Sequence, residues 1–222
     1  MRQWVGNDLV DLQAVGSEGK ADDYRFVARV LTKKELASLS LIQLKRLRDR
    51  FFWQLWAAKE AAYKVMKKED PDLFFSHSQY EVDVAGGVVQ FKQFSLPTRW
   101  SFSEHWVHCV CVSDQSLFSD KKLMVAVQAK SEIRYDPEDF HAYERISVHS
   151  HESGQVRQLA KDLLLKNGHD SFQIVRRSLG ARFAPPELWF HGKKLPAWDL
   201  SLSHDGEYVA ACLVNHNARL NS

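Results

Sequence analysis

The chain has 222 residues, 45% hydrophobic and 26% charged, with a formal net charge of +2. This is ordinary globular composition, with length for one large domain or two of about 100 residues each. The near-neutral balance gives no global field for nucleic acid, and no apolar run approaches the roughly 18 residues of a membrane span.

The opening "WVGNDLVDL" is an apolar strand start that runs into Gly6, Asp8 and Asp11. Asp8 and Asp11 have odd spacing, so a strand sends them to opposite faces. Gly6 permits something to approach the backbone closely. Asp8 beside it reads either as a ligand for a hard cation or as a turn or capping residue. The N-terminal stretch carries acids where a signal peptide has its apolar core, and the expected location is the cytoplasm.

The next clear element is a helix over 51–67, "FFWQLWAAKEAAYKVMK". Periodicity places Trp53, Ala57, Glu60 and Lys64 along one side. A surface Glu60–Lys64 pair would be worth only about 0.2–0.5 kcal/mol. The helix is too apolar for a plain surface position, and a buried carboxylate needs a partner or a metal. Alternation over 78–94 predicts two strands around Gly86-Gly87. Residues 100–114 read as another strand pair or one long bent strand. Cys109 and Cys111 fall on one face of it as small core residues, and the three cysteines suit a reducing compartment. No second Cys/His pair at ligand spacing supports zinc.

Residues 116–145 are mixed and polar, with a possible strand at "LMVAVQA", and are expected to connect two halves, 1–115 and 146–222. A helix follows over 152–169, with Val156, Leu159, Leu163 and Leu164 on one stripe and Asn167-Gly168 as its stop. "DSFQIVRRSL" and "PELWFHGKKL" read as strands, and "DLSLSHDGEYVAACLV" as a hairpin around Asp205-Gly206. Its His204, beside Ser201 and Ser203, can bind phosphate or can be a solvated turn residue. No G-x-S-x-G elbow is present. The pairs Lys33-Lys34, Lys67-Lys68, Arg176-Arg177 and Lys193-Lys194 read as solvated faces, of which a phosphate ligand can use one or two. Ser101-Phe102-Ser103 also echoes Ser201-Leu202-Ser203, which suggests duplication into two packed halves.

Together these motifs resemble the 4′-phosphopantetheinyl transferase superfamily. "VGNDLVDL" is similar to its Gly-x-Asp segment, "LWAAKEAAYK" to its Trp-x-x-Lys-Glu-x-x-x-Lys helix, and "LSLSHDGEYVAA" to its Ser-His strand. "RFVARVLTKKEL" is similar to a further family segment. Gly-x-Asp and Lys-Glu come first here and Ser-His last, in a chain of the fused length, so the halves are expected in permuted order. The resemblance implies an α+β fold: two similar αβ halves forming a pseudo-dimer, each an antiparallel sheet packed on a long helix.

It also implies Mg²⁺-dependent transfer of phosphopantetheine from coenzyme A to a serine of an apo acyl or peptidyl carrier protein. Asp8 and Glu60 would hold Mg²⁺. Glu60 and Lys64 would be catalytic, with Lys64 on phosphate oxygens. Ser203 and His204 would bind the 3′-phosphate end of coenzyme A, with Arg157, Lys161, Arg182 and Lys193 as further basic candidates. Val10 replaces the second acid of the fused type, so two carboxylates and water would hold the ion. A monomer is expected, with neither nucleic acid nor membrane as partner. The alternatives are a carrier-binding homologue without catalysis and a different Mg²⁺-dependent phosphotransferase. No P-loop or kinase signature supports the latter.

Overall fold

A computed structural model describes residues 3–119, 122–169, 172–179 and 182–217. The chain runs β1 (Val5–Asp11), α1 (Tyr24–Val30), α2 (Lys33–Ser40), α3 (Lys45–Glu69), β2 (Tyr80–Asp83), β3 (Val88–Phe91), β4 (Phe94–Phe102) and β5 (Trp106–Val112). It continues with β6 (Leu123–Ala129), α4 (Ala142–Arg145), α5 (His151–Lys166), β7 (Gln173–Val175), β8 (Ser178–Leu179), β9 (Arg182–Phe183), β10 (Glu187–Phe190), β11 (Lys193–Lys194), β12 (Trp198–Asp205) and β13 (Tyr208–Asn215). The fold is α+β with antiparallel sheets, and no described helix is long and apolar enough to cross a membrane.

The first sheet has the order β1-β5-β4-β3-β2, and α3 packs on it. Phe52, Leu55, Ala58, Ala61, Ala62 and Val65 of α3 are buried in that core. The helix begins at Lys45, six residues before the start expected from periodicity. Its N-cap is Leu44, which makes no side-chain cap, so no capping residue marks the start. Within the same core, α2 starts on a full capping box between Thr32 and Glu35.

The second principal sheet has the order β12-β13-β6, with α5 against it. Ser150 caps α5, and Gly168 leaves it at φ +76°. Val156, Leu159, Ala160 and Leu164 meet Leu200, Val209 and Leu213. β6 lies in the segment expected to be a connector, yet it pairs with β13 along its whole length, from Leu123↔Val214 to Ala129↔Tyr208. The two sheets thus share a pattern: β1-β5-β4 beside α3, β6-β13-β12 beside α5. The echo of Ser-x-Ser is looser than this pattern. Ser203 lies inside β12, while Ser103 lies in the turn after β4.

The sheets join through side chains. One edge of β1 pairs with β5 by main-chain bonds. On its other edge, the N–H groups of Val5, Asn7, Leu9 and Asp11 donate to Asp199 Oδ2 (2.7 Å), Ser201 Oγ (2.9 Å), Ser203 Oγ (3.1 Å) and Asp205 Oδ2 (2.8 Å). A strand edge leaves every second N–H unpaired, and alternate residues of a neighbouring strand point one way. The alternating polar residues of "DLSLSHD" therefore match the edge of β1 rung by rung. Each rung spares a buried N–H a penalty of about 1–3 kcal/mol. At one end, Lys68 Nζ bonds both oxygens of Asp199 at 2.9 and 2.8 Å. At the other, Asp11 accepts the N–H groups of Gln13 and Glu207, both at 2.9 Å.

Candidate active site

Gly6 sets the geometry of the site. A Cβ there would stand 2.1 Å from the main-chain oxygen of Ala61. The element that Gly6 admits is the backbone of α3. Two residues on, on the same face, Asp8 is turned toward α3 as well. Its Oδ1 accepts Lys64 Nζ at 2.9 Å and Ser203 Oγ at 3.1 Å. Lys64 Nζ also bonds Asn7 O at 2.8 Å. Lys64 therefore reaches across to β1 rather than back to Glu60. Glu60 instead stands 3.3 Å from His77 Nε2.

Asp8, Glu60 and His204 line one cavity of about 380 Å³, with Trp53, Trp56 and Asp205. Burial pushes the Asp8 carboxyl above the usual carboxylate range. Lys64 and the Ser203 hydroxyl oppose that rise, and the negative charge of Glu60 adds to it. Asp8 and Glu60, two of the three carboxylates on this cavity, are the kind of donor a hard divalent cation takes, with water completing its shell. Among the described residues no group of three or more His, Cys, Asp or Glu side chains is arranged to hold a metal. Asp8 and Glu60 supply oxygen donors of the kind that Mg²⁺ takes.

A second cavity, of about 390 Å³, opens on the other side of Lys64 and His204, both of which line it. Lys67, Lys68, His149, Arg157 and Arg176 are also in its wall, and no carboxylate is. Tyr63, Val156, Phe183, Pro185, Pro186, Leu200 and Leu202 give it apolar surface. Arg157 is 2% exposed. It bonds Ser153 O (2.7 Å) and Ser147 O (3.0 Å), and its Nε has no hydrogen-bond partner among the described residues. Burial holds its pKa down to about 10. His204 is exposed at the mouth, yet partial burial and its neighbours Lys130, His149 and Lys64 keep its pKa below the ordinary value, with Glu152 opposing. These surroundings favour the neutral ring. The cleft is segregated by charge: acidic on the Asp8 side, basic on the Arg157 side, with Lys64 and His204 between.

The remaining expected residues are distributed as follows. Ser203 is buried in the seam, where its hydroxyl is engaged by Leu9 and Asp8 rather than facing the basic cavity. Lys161 is buried and paired with Glu144 at 3.1 Å. Lys193 is exposed on β11. Arg182 lies in β9, and its side chain is outside the described residues.

Sequence reasoning missed several members of the wall. Lys67-Lys68 reads as a solvated pair, but Lys68 is buried against Asp199. Lys64, Lys67 and Lys68 have spacings of three and four, the signal that all three share a helix face. His149 and Arg176 carry no comparable signal, because separate loops bring them in.

Residues 4–111 match the 4′-phosphopantetheinyl transferase superfamily, over the segment that holds Gly6, Asp8, Glu60 and Lys64. A search of curated proteins gave no match.

Proposed function

We infer that this chain, whose residues 4–111 form a 4′-phosphopantetheinyl transferase superfamily domain, moves the phosphopantetheine arm of coenzyme A onto a serine of an apo carrier protein. One observation supports this reading above the others. A cavity with the carboxylates Asp8, Glu60 and Asp205 in its wall adjoins a basic cavity without carboxylates, and Lys64 stands at their junction. Coenzyme A has the complementary form: an anionic 3′-phosphate end for the basic cavity and a diphosphate that would reach the acidic one.

The roles follow from placement. Asp8 and Glu60 would hold Mg²⁺, which when bound neutralises diphosphate charge and favours its cleavage. Lys64 donates to phosphate oxygens and stabilises charge on the leaving group. Glu60 accepts the proton of the carrier serine as its oxygen attacks the phosphorus attached to pantetheine. A serine–phosphorus bond forms, the bond from that phosphorus to the bridging oxygen breaks, and 3′,5′-ADP departs with that oxygen. His204 donates one ring N–H at the cavity junction, and Arg157, in the wall of the basic cavity, supplies positive charge for the anionic end. The shared strand order supports a duplicated body, with β6 opening its second half and both cavities built within a single chain. A monomer suffices for that arrangement.

The test is intact-mass analysis of a panel of apo carrier proteins incubated with the protein, coenzyme A and Mg²⁺. A phosphopantetheine increment on at least one carrier is expected. Asp8→Asn, Glu60→Gln and Lys64→Met should each abolish it without unfolding the protein. Carrier binding without any increment would leave a non-catalytic carrier-binding protein instead. Nucleotide hydrolysis with no carrier present would indicate another phosphotransferase.

A further inference from the structure

Lys59 and Glu60 are neighbours in α3 with different surroundings. Lys59 is wholly buried, and its ammonium donates to Glu35 Oε2 (2.7 Å) and to the main-chain oxygens of Tyr80 (2.6 Å) and His77 (3.1 Å). These bonds fasten the short 3₁₀ turn His77–Gln79 to the helix. The His77 ring then lies between two aromatics, with centroids 4.1 Å from Trp56 and 4.1 Å from Phe75.

Its Nε2 is buried and stands 3.3 Å from Glu60 Oε1. The contact is not a hydrogen bond, and no described residue bonds that nitrogen. A buried polar atom left unpaired costs about 1–3 kcal/mol, so the ring has a standing bias toward the carboxylate. Bonds of this kind are commonly misaligned before substrate binds and tighten afterwards.

We propose that His77 is a positioning residue for Glu60. The imidazole, clamped by Trp56 and Phe75 and hung from Lys59 through its own carbonyl, holds Oε1 and leaves Oε2 for the cavity that Asp8 shares. This rests on the reading of Glu60 as a metal-holding and proton-accepting carboxylate. Groups that orient a metal-binding carboxylate typically change affinity or rate by about 10–100-fold when lost. The proposal also gives Lys59 a part in the site: it fixes the carbonyl from which the histidine ring is presented.

Two variants test it. His77→Phe keeps the aromatic stack and removes the nitrogen. His77→Gln restores a donor near the Nε2 position. Three measurements are made on each: Mn²⁺ affinity by electron paramagnetic resonance, kcat and KM for coenzyme A, and the urea midpoint alone and combined with Glu60→Gln. His77→Phe is expected to lower kcat and Mn²⁺ affinity about tenfold while KM for coenzyme A stays within about twofold, and His77→Gln recovers most of the loss. Wild-type kcat and Mn²⁺ affinity in His77→Phe would overturn the proposal. So would equal losses in both variants that follow a fall in the urea midpoint. If the wild type transfers no phosphopantetheine, the functional reading fails separately. The midpoints still decide this contact: non-additive shifts for His77→Phe and Glu60→Gln support it, and additive shifts end it.

Discussion

Lys59→Met takes one charge from the middle of α3 and leaves Glu35 buried without its cation. Both groups are almost inaccessible, at 0% and 3% side-chain exposure. The substitution removes a 2.7 Å ion-paired bond and the donor that Tyr80 O and His77 O share. Glu35 keeps the main-chain N–H groups of Thr32 (2.7 Å) and Val82 (2.8 Å). Breaking a buried pair from one side costs about 3–5 kcal/mol. The two retained donors lower that figure and the two orphaned carbonyls raise it, so about 4 kcal/mol is expected. With a urea dependence of about 3 kcal/mol per molar, the midpoint falls by about 1.3 M. Tryptophan fluorescence reads this directly, because Trp53 and Trp56 flank the same core. The double variant Lys59→Met/Glu35→Gln carries no unpaired charge and should recover more than half of the loss. A single-variant loss under about 1 kcal/mol, or no recovery in the double variant, would refute the claim that Lys59 is an anchor of the fold.

Three further outcomes follow from the fold. His108 is buried in β5 between Asn7 Nδ2 (3.1 Å from Nε2) and Ser101 Oγ (3.3 Å from Nδ1), and burial holds its pKa down to about 3. The unfolded chain takes this proton near pH 6.5. Stability from His108 is therefore complete above that pH and declines toward pH 3 by about 1.4 kcal/mol per unit. Urea titrations at pH 7, 6 and 5 should show a flatter slope for His108→Gln, and equal slopes would disprove the assignment. Gly6→Ala forces a methyl to 2.1 Å from Ala61 O. It should cost at least about 1–3 kcal/mol and uncouple Asp8 from α3, visible as a lower melting temperature with weaker Mn²⁺ binding; an unchanged melt would contradict the packing. Ser201→Ala strips the acceptor from Asn7 N–H and should destabilise by about 1–3 kcal/mol. Hydrogen exchange at the Asn7 amide should speed up more than at Gly6, which pairs with Cys111 of β5 and not with the seam.

What the sequence disclosed depended on how local each cause was. Gly86-Gly87, Asp205-Gly206 and Asn167-Gly168 mark turns and a helix end through their own backbone conformations, and all three stand where expected: Gly87, Gly206 and Gly168 have positive φ. Gly6 was legible because a glycine in a strand permits a close neighbour. The start of α3 was not, since Leu44 offers no cap to recognise. The pairs Lys59–Glu35 and Lys68–Asp199 were hidden for another reason. Their partners are separated by 24 and 131 residues, so no window of sequence relates them. The Ser-x-Ser strand was legible as a motif, but a sequence cannot distinguish a hydroxyl that binds a ligand from one that closes a strand edge. In the fold, Ser203 closes the edge and touches Asp8 at once.

That double contact makes the seam the element on which the site depends. A partner strand joined by side chains alone can slip by two residues and still offer alternating rungs. Here a slip is opposed at both ends. Moving β12 one way would take Asp199 from Lys68, leaving two buried charges apart at a cost of several kcal/mol. Moving it the other way would drive Gly206 from the Asp11 carboxylate, beside which even a Cβ has no room, at 2.1 Å from Oδ2. With the ends held, Ser203 can stand only opposite Leu9, and His204 falls at the junction of the two cavities. The charged ends of "DLSLSHD" thus set the register, and the residues between them inherit their positions from it. The order in which the halves are joined along the chain does not enter this argument. Any connection that lets the seven residues of β1 lie along the eight of β12 would build the same cleft.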